Sequence, residues 1–268
     1  MKRLMLSILV LSLMSAAVLQ ASVRERRTYE ESCAWKAGET VIVENVNGNI
    51  SVEAWDKESV EAVADVEFRG RRGRTVDDVI AETSLKVERT PEGIRVRLSR
   101  PRATDGASDF WSWIFSGGSR VNVNAQIRVR VPASAGVEAE TTNGNCSAAG
   151  VRGPLDIGTT NGNADAEDTA GSVNASSTNG DIRVDVRSLP EKARVSCRTT
   201  NGNVRLSLPA KINADVDLST TNGRVKSSYP ITMEGGFSGK HVNGRIGEGG
   251  ASIRCSTTNG NVDLSEGP

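Results

Sequence analysis

The residues able to do chemistry are few and poorly grouped. His241 is the single histidine, so a Ser-His-Asp triad or a multi-histidine metal site rests on this one ring. Catalytic carboxylates must be clustered to share a substrate, and the acidic residues here are scattered among polar positions. Calcium-binding repeats use Gly-Gly-x-Gly-x-Asp nonapeptides, which are absent, and the Asp positions do not recur in phase. The sequence therefore implies no enzyme, no cofactor and no metal site. His241 is expected to pack at a surface or corner.

The cysteines are Cys33, Cys146, Cys197 and Cys255. Whether they can pair depends on the elements that carry them, and those elements are repeats. Asn-Gly recurs at Asn47, Asn143, Asn161, Asn179, Asn201, Asn222, Asn243 and Asn259, with intervals of 18, 18, 22, 21, 21 and 16 residues from Asn143 onward. Thr-Thr or Ser-Thr precedes most of these dipeptides, and His241-Val242 precedes Asn243. Six residues before the Asn stand Val137, Leu155, Val173, Val195, Val216, Phe237 and Ile253. Four before stand Ala139, Ile157, Ala175, Cys197, Leu218, Gly239 and Cys255. Three after stand Cys146, Ala164, Ile182, Val204, Val225, Ile246 and Val262. Polar residues fill the gaps, the alternation of half-buried strands on both sides of a turn.

Two architectures accommodate such a unit. Asn-Gly between strands is a strong hairpin signal and would give an antiparallel meander. Stacked coils would instead place like residues above like in a solenoid. The recurrence of residue types at one phase favours the solenoid, with coils of about 18–22 residues and Asn side chains able to form ladders. Stacked in serial order, Cys197 and Cys255 share a column three coils apart. At ~4.8 Å per coil they would be ~14 Å apart, beyond the ~7 Å Cα limit for a disulfide. Cys146, Cys197 and Cys255 are thus expected to be small buried apolar residues that do not pair with one another. Cys33 lies outside the register, and a bridge from it stays open.

The N-terminal half is less regular. Val41–Val43, Asn47-Gly48, Ile50 and Val52 read as one more coil. Alternating stretches cover 60–68 and 121–131, and strands near 85–89 and 94–98 flank a Pro91-Glu92-Gly93 turn. Thr75 to Glu82 reads as a short helix with Thr75 as its N-cap. Residues 56–120 are assigned to capping the solenoid, whose end coils would otherwise expose sheet edges. Lys2, Arg3, the apolar run 4–14 and Ser15, Ala16 and Ala17 read as a signal peptide cut after Ala17 or Ala21. The expected organisation is 1–21 signal peptide, 22–135 N-terminal β region and 136–268 Asn-Gly solenoid, with no transmembrane segment in the mature chain.

The words around Asn47, from Val43 to Val52, the following Trp55 and the later Asn-Gly coils resemble the bacterial DUF4097 family of β-strand repeat proteins, related to head-domain adhesin-like and toast-rack domains. The resemblance spans about residues 36–266. It implies an all-β solenoid and a role as an adhesin or cell-envelope scaffold, and it brings no catalytic residues.

Composition agrees with a thin fold. Aromatics are 4% of the chain and the formal net charge is zero, from 33 basic and 33 acidic residues. No bulk field attracts nucleic acid. The Arg71, Arg72 and Arg74 cluster reads as a solvated loop. The outward column Thr142, Thr160, Thr178, Thr200, Thr221, Val242 and Thr258 offers a flat, mostly hydroxyl array for ice or polysaccharide, although strand preference alone accounts for it. The remaining candidate is the apolar segment Phe110, Trp111, Trp113, Ile114 and Phe115 among Gly and Ser. It is either a contact for an envelope protein or membrane partner, or a lid over the open end. The expected partner is an envelope protein or surface polysaccharide. The competing functions are an accessory of envelope-stress signalling and a polysaccharide-acting β-helix enzyme.

Overall fold

The computed structural model describes residues 22–71, 74–99, 121–233 and 239–267. The expected signal peptide and the aromatic segment 110–115 lie outside the described residues. The chain begins with β1 (Ser22–Ala34), β2 (Thr40–Glu44), β3 (Ile50–Trp55), β4 (Ser59–Arg71) and the helix α1 (Arg74–Glu82). Next come β5 (Ser84–Thr90), β6 (Gly93–Ser99) and β7 (Asn122–Pro132). The repeats then run as pairs: β8 (Gly136–Asn143) with β9 (Cys146–Ala149), β10 (Leu155–Asn161) with β11 (Ala164–Ala170), and β12 (Val173–Asn179) with β13 (Ile182–Ser188). Two further pairs follow, β14 (Arg194–Asn201) with β15 (Val204–Leu208), and β16 (Ala214–Asn222) with β17 (Val225–Ser227). The chain ends with β18 (Thr232–Met233), β19 (His241–Ile246), β20 (Ala251–Asn259) and β21 (Val262–Glu266).

Each pair is one coil. Its first strand joins one sheet, the Asn-Gly corner turns the chain, and its second strand joins the facing sheet. The sheets are ordered β1-β4-β7-β3-β9-β11-β13-β15-β21-β17 and β5-β6-β2-β8-β10-β12-β14-β20-β16-β19-β18. Within the stack, coils pair in parallel and in register: Asn143, Asn161, Asn179 and Asn201 are successive partners. This is the expected all-β solenoid, flattened between two sheets, and not a meander of hairpins.

The three apolar columns read from the sequence form the core. Val137, Leu155, Val173, Val195, Val216 and Ile253 are buried, as are Ala139, Ile157, Ala175, Cys197, Leu218 and Cys255 on the same sheet. Cys146, Ala164, Ile182, Val204, Val225 and Val262 face them from the other. Period-2 alternation sends these residues inward, and small branched side chains let the sheets lie close. At the N-terminal end α1 packs Val76, Val79 and Ile80, one face of a helix, against the same core. The helix starts at Arg74, so Thr75 lies inside its first turn and not before it.

Serial stacking fails at both ends. Coil β2–β3 lies between strands β6 and β7, which follow it in sequence, and coil β8–β9. The last coil, β20–β21, is inserted between β14–β15 and β16–β17. Two expectations fall with this order. Cys197 and Cys255 are not separated by three coils; they are in-register neighbours on β14 and β20. Asn243-Gly244 is not a corner: it lies within β19, which runs antiparallel to β16 along its edge. The loss of the Thr pair before Asn243 was the local sign that this segment had left the repeat.

Candidate functional site

The Asn-Gly corners stack into one continuous rib. The first Thr or Ser of each repeat word is buried and donates its hydroxyl to a glycine carbonyl of the neighbouring coil: Thr141 to Gly48 at 3.0 Å, Thr159 to Gly144 at 2.8 Å, and Ser177 to Gly162 at 2.9 Å. Thr199, Thr257 and Thr220 continue the row onto Gly180, Gly202 and Gly260. A buried hydroxyl needs such an acceptor, which explains why this position is not aliphatic. In the first coil Asn45 takes the same place, donating to Gly48 and Ala125 carbonyls at 3.1 and 2.8 Å.

The corner asparagines form a side-chain ladder. Asn143 Nδ2 donates to Asn47 Oδ1, Asn161 to Asn143, and Asn179 to Asn161, each at 2.9 Å. Asn201, Asn259 and Asn222 extend it. Two residues on, a second ladder links backbone to side chain: the Asn145 N–H donates to Asn49 Oδ1 at 2.8 Å, and Asn163, Asp181, Asn203 and Asn261 repeat the contact. The glycine between is sterically required. A Cβ on Gly162, whose φ is +154°, would lie 2.1 Å from the Gly144 carbonyl oxygen. The Thr-Thr-Asn-Gly word thus supplies one buried donor, one outward residue, one ladder amide and one vacant Cβ position.

The outward Thr column runs beside this rib, without Val242, which is buried on β19. Thr160, Thr178, Thr200, Thr221 and Thr258 are exposed and Thr142 is half-buried. Next to the exposed asparagines they make a straight band of hydroxyl and amide groups at the ~4.8 Å coil spacing.

His241 lies on β19 and does not occupy a corner. Its Nε2 is 3.1 Å from Asp217 Oδ1, Arg254 Nε is 3.6 Å from the other Asp217 oxygen, and Arg245 Nε is 3.2 Å from Asp215. Of these, Asp215, Asp217 and Arg254 line an open groove of about 280 Å³ on the outer face of β16, β19 and β20. The carboxylates there are tied to cations. Elsewhere on the same face Glu140 is pushed above the usual carboxylate range by partial burial and by Glu138, Asp156 and Glu44. On the opposite sheet, Arg24 and Arg69 hold Glu67 down at about 2. Among the described residues no group of three or more His, Cys, Asp or Glu is arranged to hold a metal ion. No helix there is long and apolar enough to cross a membrane.

A family model, Toastrack DUF4097, matches residues 34–265, most of the chain. The chain belongs to the Toastrack DUF4097 family. Curated proteins give no match. Among solved structures, this Toastrack chain is similar to a proposed cell adhesion protein from Clostridium sporogenes at 12% identity, over 90% of this chain and 100% of that one, with a TM-score of 0.43. Proposed adhesins from Bacteroides fragilis and Parabacteroides distasonis each share 10% identity, over 90% of this chain and 97% of theirs, with TM-scores of 0.27 and 0.24. At these scores the likenesses carry no argument about what this Toastrack chain binds.

The Thr-Thr-Asn-Gly words and the buried columns were legible from sequence. The bond from the first, buried threonine to a glycine carbonyl of the neighbouring coil was not. Its signal was available: only the first of the pair is replaced by Ser177, which keeps the hydroxyl.

Proposed function

We propose that this Toastrack chain is an exported, non-enzymatic scaffold that binds an envelope component through its outer faces, in the manner of an adhesin. The observation that carries this reading is the use of both sheet interiors for packing. The repeated inward columns, three apolar and one of hydroxyl residues already bonded to glycine carbonyls, are buried, so recognition falls to the outward columns, whose polar groups are held in line by the ladders. A rigid, preorganised surface loses little entropy on binding. The start of the sequence, with its basic pair, apolar run and small residues, supports export.

The test is fractionation of cells expressing the full chain, followed by N-terminal sequencing and sedimentation of the processed protein with purified envelopes. A chain cut after Ala17 or Ala21 that pellets with envelopes is expected. An uncut chain in the cytosolic fraction, or a processed one that stays in the supernatant, overturns the reading.

The aromatic segment 110–115 favours a second reading, an accessory protein of envelope-stress signalling docked on a membrane partner. Replacing Trp111 and Trp113 with Ala would then abolish envelope binding without lowering Tm.

A further inference from the structure

We infer that Cys197 and Cys255 become joined by a disulfide that fastens the inserted last coil into its slot. The inference rests on the proposed export of the chain, because disulfides persist in oxidising compartments. The pair is created by the stacking order. Serial stacking would leave these residues ~14 Å apart; insertion of β20 beside β14 makes them direct Cα partners. Adjacent strands lie ~4.8 Å apart, within the ~4.4–6.8 Å Cα window for a disulfide.

Both side chains point inward by the alternation that also buries Val195 and Ile253 beside them, with relative exposures of 1% for Cys197 and 0% for Cys255. The two cysteines thus lie side by side in one buried column. The other cysteines are placed apart from this pair. The Cys146 thiol donates to the Ala139 carbonyl at 3.3 Å, and Cys33 on β1 contacts its neighbour's carbonyl at 3.4 Å. All four are free thiols here.

The order of events follows from burial. Once docked, both thiols are buried away from any oxidant in solution, and the Cys197 thiol beside it and the loss of solvent hold the Cys255 thiol well above its ordinary range, where the attacking thiolate is scarce. Oxidation must therefore precede closure of the last coil. While that coil is undocked, one cysteine thiolate attacks a sulfur of a disulfide oxidant, such as a small-molecule disulfide, and expels a thiolate. The second cysteine thiolate then displaces the remaining oxidant thiolate from the mixed disulfide. One S–S bond forms in the protein and one breaks in the oxidant, which accepts two electrons and leaves as two thiols with the two cysteine protons. Docking then buries the new bond away from reductants.

The bond also selects between topologies. Coil 214–227 carries the same columns as coil 251–266 and is made first, so it can dock on β14–β15 in the place of the last coil. That misplaced arrangement cannot bring Cys255 to Cys197.

The test uses the full chain, reduced and unfolded, then refolded with reduced and oxidised glutathione, alkylated, digested and weighed. A linked Cys197–Cys255 peptide, lighter by two hydrogens than its separate halves, with Cys33 and Cys146 alkylated, is expected. The oxidised chain should also show a higher denaturation midpoint than its reduced form, and the C197A/C255A variant should lose both the linked peptide and this redox dependence. Refolded chain with native strand content and alkyl groups on all four cysteines overturns the inference, as does a midpoint unchanged by reduction. Because the oxidant is supplied in the tube, this result is independent of export, which the N-terminal sequencing above tests separately.

Discussion

Between Gly136 and Leu208 each coil docks on the coil that precedes it in sequence. At the two ends the order is exchanged: coil β2–β3 is covered by strands β6 and β7 made after it, and coil β16–β17 is held off its predecessor by the last coil. The middle and the ends use the same columns and the same rib. The difference teaches that a repeated column fixes register without fixing the neighbour. Asn201 will align with any Asn that arrives on a parallel strand, whether Asn222 or Asn259. A second contrast is electrostatic. The N-terminal strands β1, β4 and β7 are cross-linked by ion pairs such as Arg128–Asp65 at 2.7 Å and Arg130–Glu61 at 2.6 Å. The coil face around Glu140 gathers like charges.

The largest expected effect separates the rib from the turns at the ends. Gly162→Ala should cost on the order of 4 kcal/mol or unfold the chain, because its Cβ would meet the Gly144 carbonyl at 2.1 Å. Gly38→Ala, at φ +90° with nothing within 4 Å, should cost only ~1–2 kcal/mol of backbone strain. Urea denaturation of the two variants decides it, and equal losses would break the distinction.

A smaller effect compares Asn-Gly as a corner with Asn-Gly inside a strand. Asn161→Asp removes the amide that donates to Asn143 at 2.9 Å and should cost ~1–2 kcal/mol. Asn243→Ser, at an exposed position of β19, should stay within ~0.5 kcal/mol. Matched thermal melts at pH 7 give the comparison.

The smallest effect tests the charge contrast by its sign. The folded-state pKa of Glu140 is raised, so its ionised form is disfavoured by folding, and Glu140→Gln should raise Tm at pH 7. That advantage should fade as pH falls through the carboxylate range. Asp65 is lowered, first by the Thr28 hydroxyl and then by Arg128, so it stabilises the fold above its unfolded pKa and loses that contribution as pH falls. Asp65→Asn should therefore lower Tm at pH 7 and converge on the parent in acid. Melting curves from pH 3 to pH 7 report both; shifts of the same sign would refute the contrast.

Register was readable because it is written in local words. Val137, Ala139 and Cys146 stand in fixed phase to Asn143, and alternation alone buries them. Stacking order was not readable, because Val216, Leu218, Thr220 and Asn222 match Ile253, Cys255, Thr257 and Asn259 position for position. Interchangeable coils leave no mark of which sits beside Asn201. Asn243-Gly244 was misread for the converse reason: the dipeptide is short enough to recur inside a strand, and Lys240-His241 before it lacks the hydroxyl that a corner buries. Within the candidate site, sequence supplied the rib and the outward threonines but not the Asp217–His241 contact, which depends on an antiparallel pairing outside the repeat.

The corner ladder has a direction. From Asn222 through Asn259, Asn201, Asn179, Asn161 and Asn143, every amide N–H is donated toward the Asn47 end. Amide dipoles aligned head to tail polarise one another, so the rib is an electrical axis, positive toward Asn47 and negative toward Asn222. The two ends of the ladder, at Asn47 and Asn222, thus carry opposite partial charge, although the formal charges of the chain sum to zero.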